Sequence, residues 1–149
     1  MWIENSELFM EDTIVADSVG GIGVSHSSGI YVSGHAATFI EDTIVDSCMI
    51  GINFRGNNLE MLRCTITNCE YEGIYVGSRT SVKIIECKVA QNKGPEFIFK
   101  SGTQIEVDEN CDVLIQKSEI KGGKKGYSIK SKSPIKAENS FIEGGIRYE

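Results

Sequence analysis

The stretch Glu11-Asp12-Thr13-Ile14-Val15 returns as Glu41-Asp42-Thr43-Ile44-Val45, each copy following an aromatic residue, Phe9 or Phe39. Either a carboxylate pair serves twice as an active site, or one structural unit is written twice. Extending the alignment outward from EDTIV decides between them. The segments LFMEDTIVADS, TFIEDTIVDSC, LEMLRCTITNC, VKIIECKVAQN, VLIQKSEIKGG and IKAENSFIEGG share one pattern, with apolar anchors at Ile14, Ile44, Ile66, Val89, Ile120 and Ile142. Their separations of 30, 22, 23, 31 and 22 residues describe a period of about 22 with two insertions of about eight, the signature of a repeat architecture.

Each period carries a second landmark, an alternating apolar strand: GIGV or GIYV within 21–32, GINF at 51–54, GIYV at 73–76, EFIF at 96–99, GYSI at 126–129 and GIRY at 145–148. Alternation sends Ile52, Phe54, Ile74, Val76, Phe97, Phe99, Tyr127 and Ile129 to one side, and Asn53, Tyr75, Ile98 and Ser128 to the other. Only eight residues separate Ile44 from Ile52 and Ile66 from Ile74, too few for an amphipathic helix plus its turns. Short strands and tight turns repeating at this length bury their inward side chains only by stacking on one another. The expected fold is all-β: one domain, 1–149, forming a parallel β-solenoid of about six coils with about 22 residues each. Its predicted core includes Ile52, Ile66, Ile74, Ile84, Val89 and Phe97, with Gly51, Gly73 and Gly126 supplying positive φ at turns.

The segments GIYVSGHAATFIEDTIVDSCMIGINF and LEMLRCTITNCEYEGIYVGSRTSVKIIECKVAQN resemble the right-handed parallel β-helix repeats of the pectate-lyase-like superfamily. The resemblance runs from about Leu8 to Tyr148. It implies a right-handed β-helix, and it covers both carbohydrate-active enzymes and non-enzymatic proteins such as β-helix-bearing F-box proteins. In pectate lyases of that kind, clustered acidic calcium ligands accompany a basic residue, and in polygalacturonases several aspartates occupy adjacent strands. Here the outward ladder expected to carry Glu11, Glu41, Arg63, Glu86 and Lys117 mixes signs and contains no cluster of three acids.

Counting three residues on from Phe9, Phe39, Met61, Ile84, Ile115 and Ala137 places Asp12 and Asp42 on one ladder with Cys64, Cys87, Ser118 and Ser140. A carboxylate pair on adjacent rungs is a candidate for acid–base hydrolysis, but a ladder shared with cysteines and serines reads as a corner of the coil. EDTIV is thus one structural unit written twice. Glu11, Glu41, Asp12, Asp42 and Arg63 remain the best catalytic alternative, which would be a polysaccharide lyase or glycoside hydrolase. Met10, Ile40, Leu62 and Ile85 form an expected outward apolar stripe, a contact surface unless the strand bends and turns them inward. The insertions, about Ser25–Ala36 and Ser101–Cys111, are expected on one side; the first holds His26 and His35, candidate binding residues without a nucleophile-elbow pattern around the nearby serines.

Five cysteines without CxxC spacing or a zinc pattern predict free thiols in a reducing compartment, with Cys64 and Cys87 stacked in the interior and Cys69 on a rung with Ser47 and Asn92. No metal, cofactor or membrane span is expected, and the acidic start MWIENSELFMED lacks the features of a secretory signal, giving a cytoplasmic assignment. Residues 1–75 carry 2 basic and 11 acidic side chains, net −9, whereas residues 76–149 carry 13 and 10, net +3. A solenoid turns this into one acidic and one basic end, and the overall charge of −6 argues against nucleic acid as a partner. The expected role is a non-catalytic module making protein–protein contacts or self-associating through its ends within a larger protein or assembly, with a polysaccharide-active or glycan-binding domain as the alternative.

Overall fold

The computed structural model describes residues 1–4, 6–16, 28–92, 103–122 and 128–149. The chain winds through three strands per coil: β1 (Trp2–Glu4), β2 (Leu8–Glu11) and β3 (Ile14–Ala16), then β4 (Ser28–Ser33), β5 (Ala37–Glu41) and β6 (Ile44–Asp46). Coils three and four are β7 (Ile50–Arg55), β8 (Asn58–Leu62), β9 (Thr65–Thr67) and β10 (Ile74–Val76), β11 (Ser81–Ile85), β12 (Lys88–Ala90). Coils five and six are β13 (Ile105–Val107), β14 (Asp112–Gln116), β15 (Glu119–Lys121) and β16 (Ile129–Ser131), β17 (Ile135–Glu138), β18 (Phe141–Ile142), with β19 (Ile146–Tyr148) following. Equivalent strands pair in parallel across successive coils, forming a seven-stranded first sheet from β1 to β19 and six-stranded second and third sheets. The molecule is a right-handed parallel β-helix of six full coils.

The corner from second to third sheet sets the geometry. One residue per coil stands there in the left-handed region: Asp12, Asp42, Arg63, Glu86, Lys117 and Asn139, with φ between 46° and 54°. For a non-glycine residue this conformation costs about 1 kcal/mol or more, and the next residue compensates. Thr13 and Thr43 donate Oγ1–H to the carbonyls of Glu11 and Glu41 at 2.8 Å. Cys64, Cys87, Ser118 and Ser140 close the same ring to the carbonyl two residues back at 3.3, 3.2, 2.8 and 2.9 Å. Coils are also stitched vertically: the N–H of Cys64 donates to Cys87 Sγ at 3.4 Å, that of Cys87 to Ser118 Oγ at 3.1 Å, and that of Ser118 to Ser140 Oγ at 3.1 Å.

Inside this frame Ile52, Ile66, Ile74, Ile84 and Val89 are fully buried, as alternation predicts; Phe97, Phe99 and Tyr127 lie outside the described residues. The first two coils correct the expected register by one residue. Met10 pairs with Ile40 and Ile40 with Met61, so Met10 and Ile40 point into the core at 5% and 0% exposure rather than outward. Val15 and Val45, not Ile14 and Ile44, pack inside; Ile14 is 71% exposed. In FIEDTIV both phases of the alternation are apolar, and the Thr corner chooses between them. Asp12 and Asp42 accordingly stand one residue before the thiol and hydroxyl ladder, which Thr13 and Thr43 occupy.

Three further expectations shift. Coil five takes its first-sheet strand from Ile105–Val107 rather than from 96–99. The added length therefore falls between the third and first sheets, over 17–27 and 93–102, outside the described residues, while most of the expected insertion 101–111 is coil. Gly51 and Gly73 do not adopt positive φ. A Cβ on Gly73 would stand 2.5 Å from Asn92 Nδ2 and 2.7 Å from Val89 Cγ1, so glycine is required there by the close approach of neighbouring coils; Gly126 lies outside the described residues. Cys69 follows the left-handed Asn68, just as Cys48 follows Ser47, so the third-to-first corner stacks Cys48, Cys69 and Asn92, with the N–H of Cys69 donating to Asn92 Oδ1 at 2.9 Å.

All five cysteines are buried and free. Burial pushes the Cys69 thiol up to about 12, and hydrogen bonding with Cys64 followed by burial raises that of Cys87. A raised thiol stays neutral in the fold where the unfolded chain ionises, so stability is full below the unfolded value near 9.0 and declines as pH climbs toward 12. The urea midpoint should fall across that interval, and the native thiols should label slowly; an unchanged midpoint would contradict this burial. Register is tested separately: Ile40→Ala should lose about 2–5 kcal/mol, against less than about 1 kcal/mol for Ile44→Ala. The reverse order would restore the alternative register.

Candidate functional site

The corner carboxylates come together around Arg63. Its Nε and Nη2 donate to the two oxygens of Asp42, both at 2.7 Å, and Nη2 also donates to Glu41. The hydrogen bond from Arg63 holds the Asp42 carboxyl below its ordinary range. Asp42 is thereby fixed as a charged acceptor in open solvent, a poor proton donor at neutral pH. Glu11 and Asp12 lie one coil further out, Glu11 pairing with Glu41 in register. The alternating signs continue along the corner, where Lys117 Nζ meets Glu86 Oε1 at 3.2 Å.

The outer face of the second sheet is built differently. Because Met10 and Ile40 are inside, the outward residues beside them come forward: Phe9 and Phe39 stack with centroids 5.2 Å apart and planes 17° from parallel. They line an open groove of about 440 Å³ together with Glu7, Asn58, Glu60, Ser81 and Lys83. Across the coils this column reads Phe9, Phe39, Glu60, Lys83, Leu114, Lys136, and the next outward column reads Glu11, Glu41, Leu62, Ile85, Gln116, Glu138. Leu62 and Ile85 are half-buried and outward. Of the expected apolar stripe, these two residues stand on the surface.

A polar network on the outer face of the first sheet was not among the sequence candidates. Tyr75 donates to Asp108 Oδ2 at 2.5 Å, the Arg55 guanidinium lies 4.9 Å from the Tyr75 ring centroid, and Lys130 Nζ lies 3.4 Å from Glu106 Oε1. Burial and then the bond to Asp108 push the Tyr75 hydroxyl up to about 12. Glu106 and Asn53 are buried although they point outward. Tyr75 and Asn53 were legible as outward residues of their strands; Glu106 was missed because the expected strand of coil five lies eight residues too early.

His35 is exposed between β4 and β5, and His26 lies outside the described residues. Among the described residues no group of three or more His, Cys, Asp or Glu side chains could hold a metal ion, and no helix is long and apolar enough to cross a membrane.

The family model for a right-handed β-helix region matches residues 2–148. No curated protein and no solved structure matches the chain.

Removing the clamp should return the aspartate to ordinary behaviour. In Arg63→Ala the Asp42 carboxyl should titrate higher than in the wild type, toward 3.8, followed by carboxyl NMR across the acid range. An unchanged titration would mean that Arg63 does not govern it.

Proposed function

From the chain's membership of the right-handed β-helix family, whose repeat dictates corners and core but leaves outward residues free, we propose a non-catalytic binding module that makes protein–protein contacts. The observation that carries this reading is the outer face of the second sheet, where Phe9, 67% exposed, stacks on Phe39 beside Leu62 and Ile85. Aromatic and aliphatic side chains gathered on an exposed lateral surface, with charges at the rim, have the composition of a contact patch. The catalytic alternative is weakened by the Arg63 clamp, which leaves Asp42 unsuited to proton donation and occupies Glu41 as well.

A glycan-binding reading is favoured by one feature, the stacked Phe9–Phe39 pair in an open groove flanked by Asn58, Ser81, Glu60 and Lys83. Exposed aromatic surface in a groove with adjacent hydrogen-bonding groups suits a sugar ring as well as a protein side chain. The two are separated by incubating the protein with acidic and neutral polysaccharides, with and without calcium. The binding-module reading expects neither cleavage nor a thermal shift. A shift abolished by Phe39→Ala would establish glycan binding, and cleavage lost in Glu41→Ala or Asp42→Ala would establish an enzyme.

A further inference from the structure

We propose that the outer face of the second sheet is a homodimer interface, in which a second copy of this chain packs face to face with its coils running in the opposite direction; this rests on reading the face as a protein-contact surface. A two-fold axis parallel to the strands and passing between β8 and β11 superposes each outward column on itself. It places coil one against coil six, two against five and three against four. In the central column Phe9 then meets Lys136 and Phe39 meets Leu114, and the Glu60–Lys83 ion pair of each copy, 3.3 Å long within the chain, meets the same pair of the other copy in reverse, Glu60 facing Lys83. Every pair is complementary: cation on ring, aromatic on aliphatic, acid on base. The neighbouring column brings Leu62 against Ile85 near the axis and Glu41 against Gln116. Its one unfavourable pair is Glu11 with Glu138, and Glu138 already carries Lys136 Nζ at 2.7 Å.

Two further observations support a second copy as the occupant. The groove around Phe9 and Phe39 is open, and the two-fold delivers Leu114 and Lys136 of the other copy to it. The charge of the chain is also polarised, net −9 over residues 1–75 and +3 over 76–149, so antiparallel packing sets each half against its opposite. Six strands roughly 4.8 Å apart and about five residues of roughly 3.3 Å give a footprint of about 450 Å² per partner. That is small for a specific interface and corresponds to a weak, salt-sensitive dimer.

Charge exchange tests the geometry. In sedimentation of the full chain at low salt and about 100 µM, the wild type should show twice the chain mass, and this should diminish as salt rises. Glu60→Lys alone and Lys83→Glu alone should each weaken dimerisation on the order of tenfold or more, because like charges then face each other across the axis. Mixing the two single variants should restore a dimer, since each supplies the charge the other lacks. The double exchange should also dimerise. Unchanged circular dichroism would show that both single variants are folded. A wild-type monomer, or single variants that dimerise as the wild type does, would overturn the proposal; a mixture that stays monomeric would exclude this register. None of these outcomes bears on polysaccharide cleavage, which tests the binding-module reading independently.

Discussion

A left-handed residue at every corner between the second and third sheets, followed by a small hydroxyl or thiol, is the constraint from which the remaining architecture follows. The corner bends the chain from the second sheet into the third at a single left-handed residue. The side chain after it is turned inward, where it bonds the carbonyl two residues earlier and accepts the N–H of the neighbouring coil. Cysteine and serine make both bonds because each offers a donor and an acceptor on a small side chain, and Thr13 and Thr43 make the first of them. Once this residue faces inward, period-two alternation determines the orientation on both flanking strands, so Met10, Ile40, Met61, Ile84 and Ile115 are inside and the residues between them are outside.

The same constraint separates structure from candidate function. Asp12, Asp42, Arg63, Glu86 and Lys117 are at the corner because a left-handed position exposed to water accepts a polar residue of either sign. Their charges then pair along the ladder, Arg63 with Glu41 and Asp42, Lys117 with Glu86. The lateral faces carry no such requirement. There the outward residues vary from coil to coil, from phenylalanine through acid and base to leucine in the central column of the second sheet, and that variation gives the surface its individuality.

The period, the coil number, the parallel stacking and most of the core were legible because the repeat recurs six times and each recurrence reinforces the pattern. The register of the first two coils was not. In Phe39-Ile40 and Ile44-Val45 adjacent residues are both apolar, so hydrophobicity fits either phase, and only the equivalence of Thr43 with Cys64 distinguishes them. That one-residue ambiguity exchanged Phe9 and Phe39 with Met10 and Ile40, and so concealed the stacked aromatic pair. The network of Tyr75, Asp108, Glu106 and Lys130 was hidden for a related reason: it depends on β13 pairing with β10, a contact across the longest connection in the chain.

Unfolding of position-118 variants probes the ladder most directly. Ser118 Oγ accepts the N–H of Cys87 at 3.1 Å and donates to the carbonyl of Gln116 at 2.8 Å, with almost no exposure to water. Ser118→Ala leaves these groups without a partner, and the ladder account predicts a loss of about 1–3 kcal/mol in urea denaturation, whereas Ser118→Cys, which repeats the residue of the two preceding coils, should keep most of the stability. If Ser118→Ala is as stable as the wild type, or Ser118→Cys as weak as Ser118→Ala, the corner ladder is not what holds the coils in register.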